Sequence, residues 1–186
     1  MNLIILGAPG SGKGTQAKLL TEKFDLSHLS SGDLLRAEAV SGSAKGKIIA
    51  DLLAKGDLLP FETVLEVLEP AFKQARGGFI LDGTPRDVKQ AEYLDWFLQK
   101  NALQIDKVIY LSLPAEDSLT RLLKRAQIEH RTDDTPETIK HRLEIYDQET
   151  TPVLDYYRAK GLVIDVDGRP DIQTIFKDIV THLTTA

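Results

Sequence analysis

Residues 7–16 read Gly-Ala-Pro-Gly-Ser-Gly-Lys-Gly-Thr-Gln, four glycines and a proline around the single lysine Lys13. An apolar run, Asn-Leu-Ile-Ile-Leu, precedes them and a helical pattern follows. The stretch is thus a strand–helix junction made of residues that hold neither element well. At such a junction several backbone N–H groups converge without intrahelical partners. The positive end of the helix dipole points the same way, and glycines let the main chain approach closely. That nest suits phosphate oxygens, and a lysine inside it reaches the terminal phosphates of a nucleoside triphosphate. Gly10, Ser11, Gly12, Lys13, Gly14 and Thr15 are therefore candidate triphosphate ligands. The order departs from the general G-x-x-x-x-G-K-[ST] pattern, because Gly14 follows the lysine and Thr15 comes one place later. The alternative is a structural turn ahead of a helix, and the strand-before, helix-after context argues against it.

The elements that must position this loop are those of one domain. At 186 residues, 42% hydrophobic and 27% charged, the chain is long enough to bury a sizeable core. It has no cysteine, which excludes disulfides and thiolate metal sites, so no structural zinc is expected. A net charge of -5 argues against a general nucleic-acid binder. No segment approaches the ~20 apolar residues that span a bilayer, and the N-terminus lacks a signal-peptide pattern. A cytoplasmic protein without nucleic-acid or membrane partners is expected, and as nothing demands an oligomer, a monomer.

Short apolar runs at Leu3–Leu6, Phe79–Leu81, Val108–Leu113 and Leu162–Val166, with a weaker one at Leu26–Leu29, lack polar alternation, as strands buried on both faces do. Helical patterns lie between them at Lys13–Phe24, Gly32–Val40, Ala44–Lys55, Phe61–Gln74, Val88–Gln99, Ala115–Gln127, Pro136–Lys160 and Asp171–Leu183. The alternation predicts an α/β domain, a doubly wound parallel sheet of about five strands flanked by helices. Two stretches break it. Gly32 to Gln74 is three helical segments with no strand between them, expected as a flap beside the sheet; the polar Arg-Ala-Gln-Ile-Glu-His-Arg-Thr-Asp-Asp (125–134) separates two helices.

Four stretches in series carry a family resemblance. Gly-Ala-Pro-Gly-Ser-Gly-Lys-Gly-Thr-Gln is similar to the loop of nucleoside monophosphate kinases. Leu-Ser-Ser-Gly-Asp-Leu-Leu-Arg (29–36), the segment from Gly78 to Asp95 with Asp-Gly-Thr-Pro-Arg inside it, and the segment from Leu122 to Leu143 resemble the remaining adenylate kinase signatures, in order. The resemblance covers essentially the whole chain. It implies a single P-loop kinase domain over 1–186, with an NMP-binding flap at about 30–59 and a short lid at about 125–135. The implied reaction is reversible Mg²⁺-dependent transfer of the ATP terminal phosphoryl group to AMP, giving two ADP. An acceptor phosphate is already anionic, so the chemistry needs alignment, charge neutralisation and exclusion of water more than a general base.

Six of the nine arginines fall in or beside these motifs: Arg36, Arg86, Arg121, Arg125, Arg131 and Arg142. Planar guanidinium groups bind phosphate oxygens bidentately. By resemblance Arg121 and Arg125 face ATP phosphates, and Arg131 and Arg142 clamp the transferring group and the acceptor. Surface ion pairing, such as Asp117 with Arg121 and worth about 0–1 kcal/mol, is the alternative for each taken alone. The resemblance also puts Ser31 at the acceptor base, with Arg36 and Arg86 at its phosphate. Gly83, Thr84, Pro85 and the main chain of Asp57, Leu58 and Leu59 then line the AMP pocket. Asp82 is the best candidate for orienting Mg²⁺ through its waters, with Asp33 as a second. Helix capping is the alternative role for Ser31, Asp33 and Asp82. Gln90 offers a donor and an acceptor to an adenine edge, although a lone helical glutamine is more often solvated. Related UMP/CMP kinases carry asparagine there and alanine for Ser31, so this chain sides with AMP; a UMP/CMP or broad-specificity kinase is the runner-up. A switch protein that hydrolyses its nucleotide would not need the second phosphate site around Arg36 and Arg86. Three departures bear on the lid and loop: Thr84 replaces an aromatic, Ala126 and His130 replace lid glycines, and Pro170 stands where a glycine backbone meets the ATP adenine.

Overall fold

The computed structural model describes residues 1–129 and 135–185. Five parallel strands form one sheet in the order β2-β3-β1-β4-β5. They are β1 (Asn2–Gly7), β2 (Ser27–Ser30), β3 (Phe79–Asp82), β4 (Lys107–Ser112) and β5 (Val163–Asp167). Successive side chains of β1 alternate between faces, and both faces are buried. Leu3 and Ile5 pack with Ala17, Leu20, Ile175 and Ile179 of α1 (Lys13–Phe24) and α9 (Ile172–Thr184). Ile4 and Leu6 pack on the other side with Leu68, Leu94, Val153 and Tyr157. These belong to α4 (Phe61–Gln74), α5 (Val88–Lys100) and α8 (Thr151–Arg158). Double-sided burial is why β1 and β3 read as continuous apolar runs, while the edge strand β5 alternates, with Asp165 and Asp167 exposed.

Helices α2 (Ser31–Ala39) and α3 (Ala44–Lys55) pack on each other, and α2 also touches α4. This is the strandless stretch of the sequence. After β4 come α6 (Ala115–Glu129) and α7 (Pro136–Ile145). Thr135 caps α7 by accepting from the Thr138 N–H at 3.2 Å, with Pro136 in the first turn, as the sequence suggests.

The expected single helix from Pro136 to Lys160 is broken. A π turn, Tyr146–Thr150, separates α7 from α8. Pro152 has no N–H for the carbonyl four residues back and its ring would clash there. The turn before it therefore opens, and the Thr151 N–H reaches the Tyr146 carbonyl.

The chain leaves β1 toward β2 on one side and later reaches β4 on the other, so the switch in strand order falls beside β1. Gly7, Asp82 and Ser30 all sit at the carboxyl ends of their strands there, where ligands collect in open α/β sheets. Ile80 is fully buried at the centre of β3, with β1 and β2 on either side. Replacing it with alanine is expected to cost about 2–5 kcal/mol through lost contacts and a residual cavity. Thermal unfolding should register this as a fall of roughly 5–15 °C.

Candidate active site

The glycine loop takes the shape its composition predicts. Gly10 and Gly12 have φ of 85° and 95°, and a Cβ on Gly10 would lie 2.8 Å from the Ser118 carbonyl oxygen. Only glycine combines that conformation with that approach. Gly12 precedes α1 without a side-chain cap, so the first-turn N–H groups keep the dipole end available to an anion. Lys13 lies within the loop, its Nζ donating to the Gly7 and Ala8 carbonyls at 2.7 and 2.9 Å. Burial lowers its pKa to about 8, with Arg86 and Arg125 pushing the same way and Asp82 opposing them.

A cavity of about 760 Å³ opens above this loop along the strand ends. Gly10, Gly12, Lys13, Gly14 and Thr15 line one part, and Arg125 and Arg142 lie on its wall. Ser31, Asp33, Arg36, Asp57, Leu58, Leu59, Asp82, Gly83, Thr84, Arg86 and Gln90 line the rest. One cleft thus brings together most residues singled out by type and spacing. Ser11 is buried beneath the loop, and Pro85 lines a smaller cavity of about 70 Å³ behind Arg86. Arg121 reaches the Arg169 carbonyl at 3.3 Å, next to an exposed Pro170 and outside the cavity lining. Arg131 and His130 lie outside the described residues.

Capping roles sort themselves out. Ser30, not Ser31, caps α2 by accepting from the Asp33 N–H. Ser31 is buried, and its Oγ donates to the Asp82 carbonyl at 3.2 Å. Asp87, not Asp82, caps α5 through the Gln90 N–H at 2.8 Å. Asp82 is left as a carboxylate only 9% exposed at the end of β3, its Oδ2 3.4 Å from His28 Nε2. Asp33 is engaged with Arg36, 2.5 Å from Nη2.

Gln90 is not solvated surface but 4% exposed. Its Oε1 accepts from the Arg86 N–H at 2.9 Å, with the Thr84 hydroxyl at 3.4 Å. A main-chain N–H demands an oxygen there, which fixes the amide orientation and leaves the NH₂ as the end that a ligand in the cavity would meet. Arg86 Nε donates to the Gly83 carbonyl at 2.8 Å. Burial, and then repulsion from Arg142, hold its guanidinium below the ordinary arginine range, against the pull of Asp82.

Four residues beside the cleft carry no functional signal in the sequence, where the histidines pass for surface or polar-core residues. His28 and Ile172 line the cavity, His141 Nε2 lies 2.9 Å from Asp57 Oδ1, and Thr150 bonds the Arg86 main chain. Each is brought there by strand register or by helix packing, which no local spacing announces.

A family model for adenylate kinase matches residues 5–162. Adenylate kinase isoenzyme 1 of Sus scrofa is 41% identical over 98% of this chain and 94% of its own length. The adenylate kinase of Xanthomonas campestris pv. campestris is 43% identical over 96% and 97%. That of Bacteroides fragilis is 38% identical over 100% and 99%.

The lowered Lys13 value has a measurable sign. Between about pH 8 and 10.5 the unfolded chain binds more protons than the folded one, so this lysine's contribution to stability rises with pH across that window. A polyanion beside Lys13 restores the ammonium form. Binding of a nucleoside triphosphate at about pH 9 should therefore take up protons, seen as a dependence of calorimetric enthalpy on buffer ionisation heat. Lys13→Met should remove the uptake; an uptake unchanged in that variant would assign it elsewhere.

Proposed function

The chain belongs to the adenylate kinase family, and from that premise we propose a division of labour within its cleft. The enzyme is a nucleoside monophosphate kinase with ATP, AMP and ADP as its nucleotides. One observation carries the residue-level reading: a single cavity is lined by the phosphate loop with Lys13 and by a second cationic pocket holding Arg36 and Arg86. Two phosphate subsites in one space suit transfer between two phosphates, which a simple hydrolase does not require.

ATP takes the loop, with its β- and γ-phosphates on the first-turn N–H groups and Lys13. Arg121 and Arg125 bind further phosphate oxygens, and the 169–172 stretch lies toward the adenine. AMP takes the other side, its phosphate on Arg36 and Arg86 and its base against Ser31, Gln90 and the main chain of Asp57, Leu58 and Leu59. Arg142, on the wall between them, bridges donor and acceptor. The acceptor oxygen is an anion and attacks in line as the bond to ADP breaks, so no residue has to remove a proton. The cations offset the charge that would otherwise drive the two nucleotides apart.

Adenylate kinases use ATP with Mg²⁺ generally. Asp82 fits that ion: a hard carboxylate, little exposed, facing the cavity beside Lys13. When bound, Mg²⁺ would neutralise and orient the ATP phosphates, with Asp82 holding it through water. Among the described residues no three His, Cys, Asp or Glu side chains group as a metal cage, and none of their helices is long and apolar enough to cross a membrane. We also propose a cytoplasmic monomer, since one chain lines both subsites.

The pinned Gln90 amide sets the base preference. Its NH₂ meets an acceptor at adenine N1, whereas uracil and guanine present N–H at the corresponding ring position and leave two donors opposed. Phosphoryl transfer from Mg·ATP to AMP, UMP, CMP, GMP and water, measured side by side, should favour AMP strongly, reject UMP and GMP, and show little hydrolysis. Preference for UMP would overturn the Gln90 assignment, and hydrolysis without acceptor preference the second phosphate site. Arg86→Ala should lower kcat/KM for AMP by about 10²-fold or more while the fold persists. Near-normal turnover would remove Arg86 from the phosphate.

A further inference from the structure

Arg86 is carried by a loop, residues 83–87, that has neither helix nor strand bonds to hold it between β3 and α5. A long side chain reaches a phosphate reproducibly only when its own backbone is fixed. Here two hydrogen bonds hold the Arg86 main chain and a third holds its side chain. The Arg86 N–H is bound by Gln90 and its Nε by the Gly83 carbonyl, both close in sequence. The other main-chain bond comes from 64 residues away: Thr150 Oγ1 donates to the Arg86 carbonyl at 2.7 Å. Thr150 is 7% exposed and ends the π turn that joins α7 to α8.

The same segment bears Arg142, and Arg142, Arg86 and Thr150 all line the small cavity behind the cleft. Arg86 and Arg142 are like charges that repel, which favours drawing the loop away from α7. The Thr150 bond spans that gap. A π turn opened by Pro152 is the local distortion from which a threonine hydroxyl reaches a carbonyl on another element.

We propose that Thr150 is a positioning residue for the transfer: by bonding the Arg86 carbonyl it sets the acceptor-phosphate arginine at a fixed distance from Arg142. The inference rests on the reading of Arg86 as an AMP-phosphate ligand. Thr150→Val keeps the shape and removes the donor from the part-buried Arg86 carbonyl; Thr150→Ala does the same with less bulk. Thr150→Ser keeps the hydroxyl.

The test is steady-state kinetics with each nucleotide varied in turn, accompanied by thermal melts. In the valine and alanine variants kcat/KM for AMP should fall about fivefold or more, while KM for ATP stays within about twofold. The serine variant should return AMP kinetics to within about twofold of the parent. Parent-like AMP kinetics in valine and alanine would overturn the proposal. So would equal loss in all three variants, or AMP and ATP parameters moving together with the melting temperature. Loss of AMP use in Arg86→Ala beside parent-like Thr150→Val would sink this inference alone. Parent-like Arg86→Ala would sink the reading of Arg86 beneath it.

Discussion

Lys13, Arg36, Arg86, Arg125 and Arg142 face one cavity, and the cost of keeping that much positive charge together shapes the rest of the structure. Two unit charges 4 Å apart interact by about 4 kcal/mol at the effective dielectric of a protein surface, more where water is excluded. Lys13 and Arg86 show the strain directly, since burial and neighbouring cations both disfavour their charged forms. Full neutralisation by carboxylates would quiet the repulsion and also block the phosphates. Main-chain carbonyls hold part of this charge, Gly7 and Ala8 for Lys13, Gly83 for Arg86 and Leu53 for Arg142, while Arg36 is paired with Asp33. A carbonyl dipole orients a cation without cancelling its charge, so the attraction for a polyanion is kept.

That solution requires main chain to be exposed at the right places, which explains the backbone around the site. Gly10 and Gly12 turn the loop so that N–H groups face one way and carbonyls another. Gly83, with φ of 85°, turns the chain after β3; a Cβ there would lie 2.8 Å from Ser31 Oγ. Asp82 sits among these cations as the carboxylate whose attraction lowers the repulsion at both Lys13 and Arg86. Its place at a strand end keeps it in the wall rather than in the phosphate path.

The parts of this arrangement legible in the sequence were those with a local signature. All five strands were located within a residue or so at their ends; the central β1 and β3 are continuous apolar runs because a two-sided core leaves no polar alternation, whereas the edge strands β2 and β5 carry polar residues. The glycine loop was legible because its geometry has only one residue type that fits. The helix expected from Pro136 to Lys160 hid its π turn, since Pro152 also reads as an ordinary first-turn proline. Gln90 stood out in the sequence for its donor and acceptor, but its burial had no local signature, since it depends on the Arg86 peptide reaching back across Asp87. Contacts such as Thr150 to Arg86 and His141 to Asp57 join residues 64 and 84 positions apart, and leave no pattern at either end.

Those long-range contacts have a common direction. The Asp57 carboxylate is taken by His141, so the loop after α3 turns its main chain, rather than a charge, toward the pocket that Leu58 and Leu59 also line. One residue on, Arg142 donates to the Leu53 carbonyl, and Gly56 brings the loop so close to α7 that a Cβ would stand 2.9 Å from Thr138 Cγ2. The segment that holds Arg142 and Thr150 is therefore bonded both to the wall of the base pocket and to the Arg86 loop. A half-exposed hydrogen bond such as His141–Asp57 contributes little alone. The steric fit at Gly56 and the part-buried Thr150 bond make the union firm, because packed contacts do not deform continuously. The lining at Asp57, Leu58 and Leu59 and the Arg86 loop are thus joined through α7 and the π turn rather than being separate walls of the cavity.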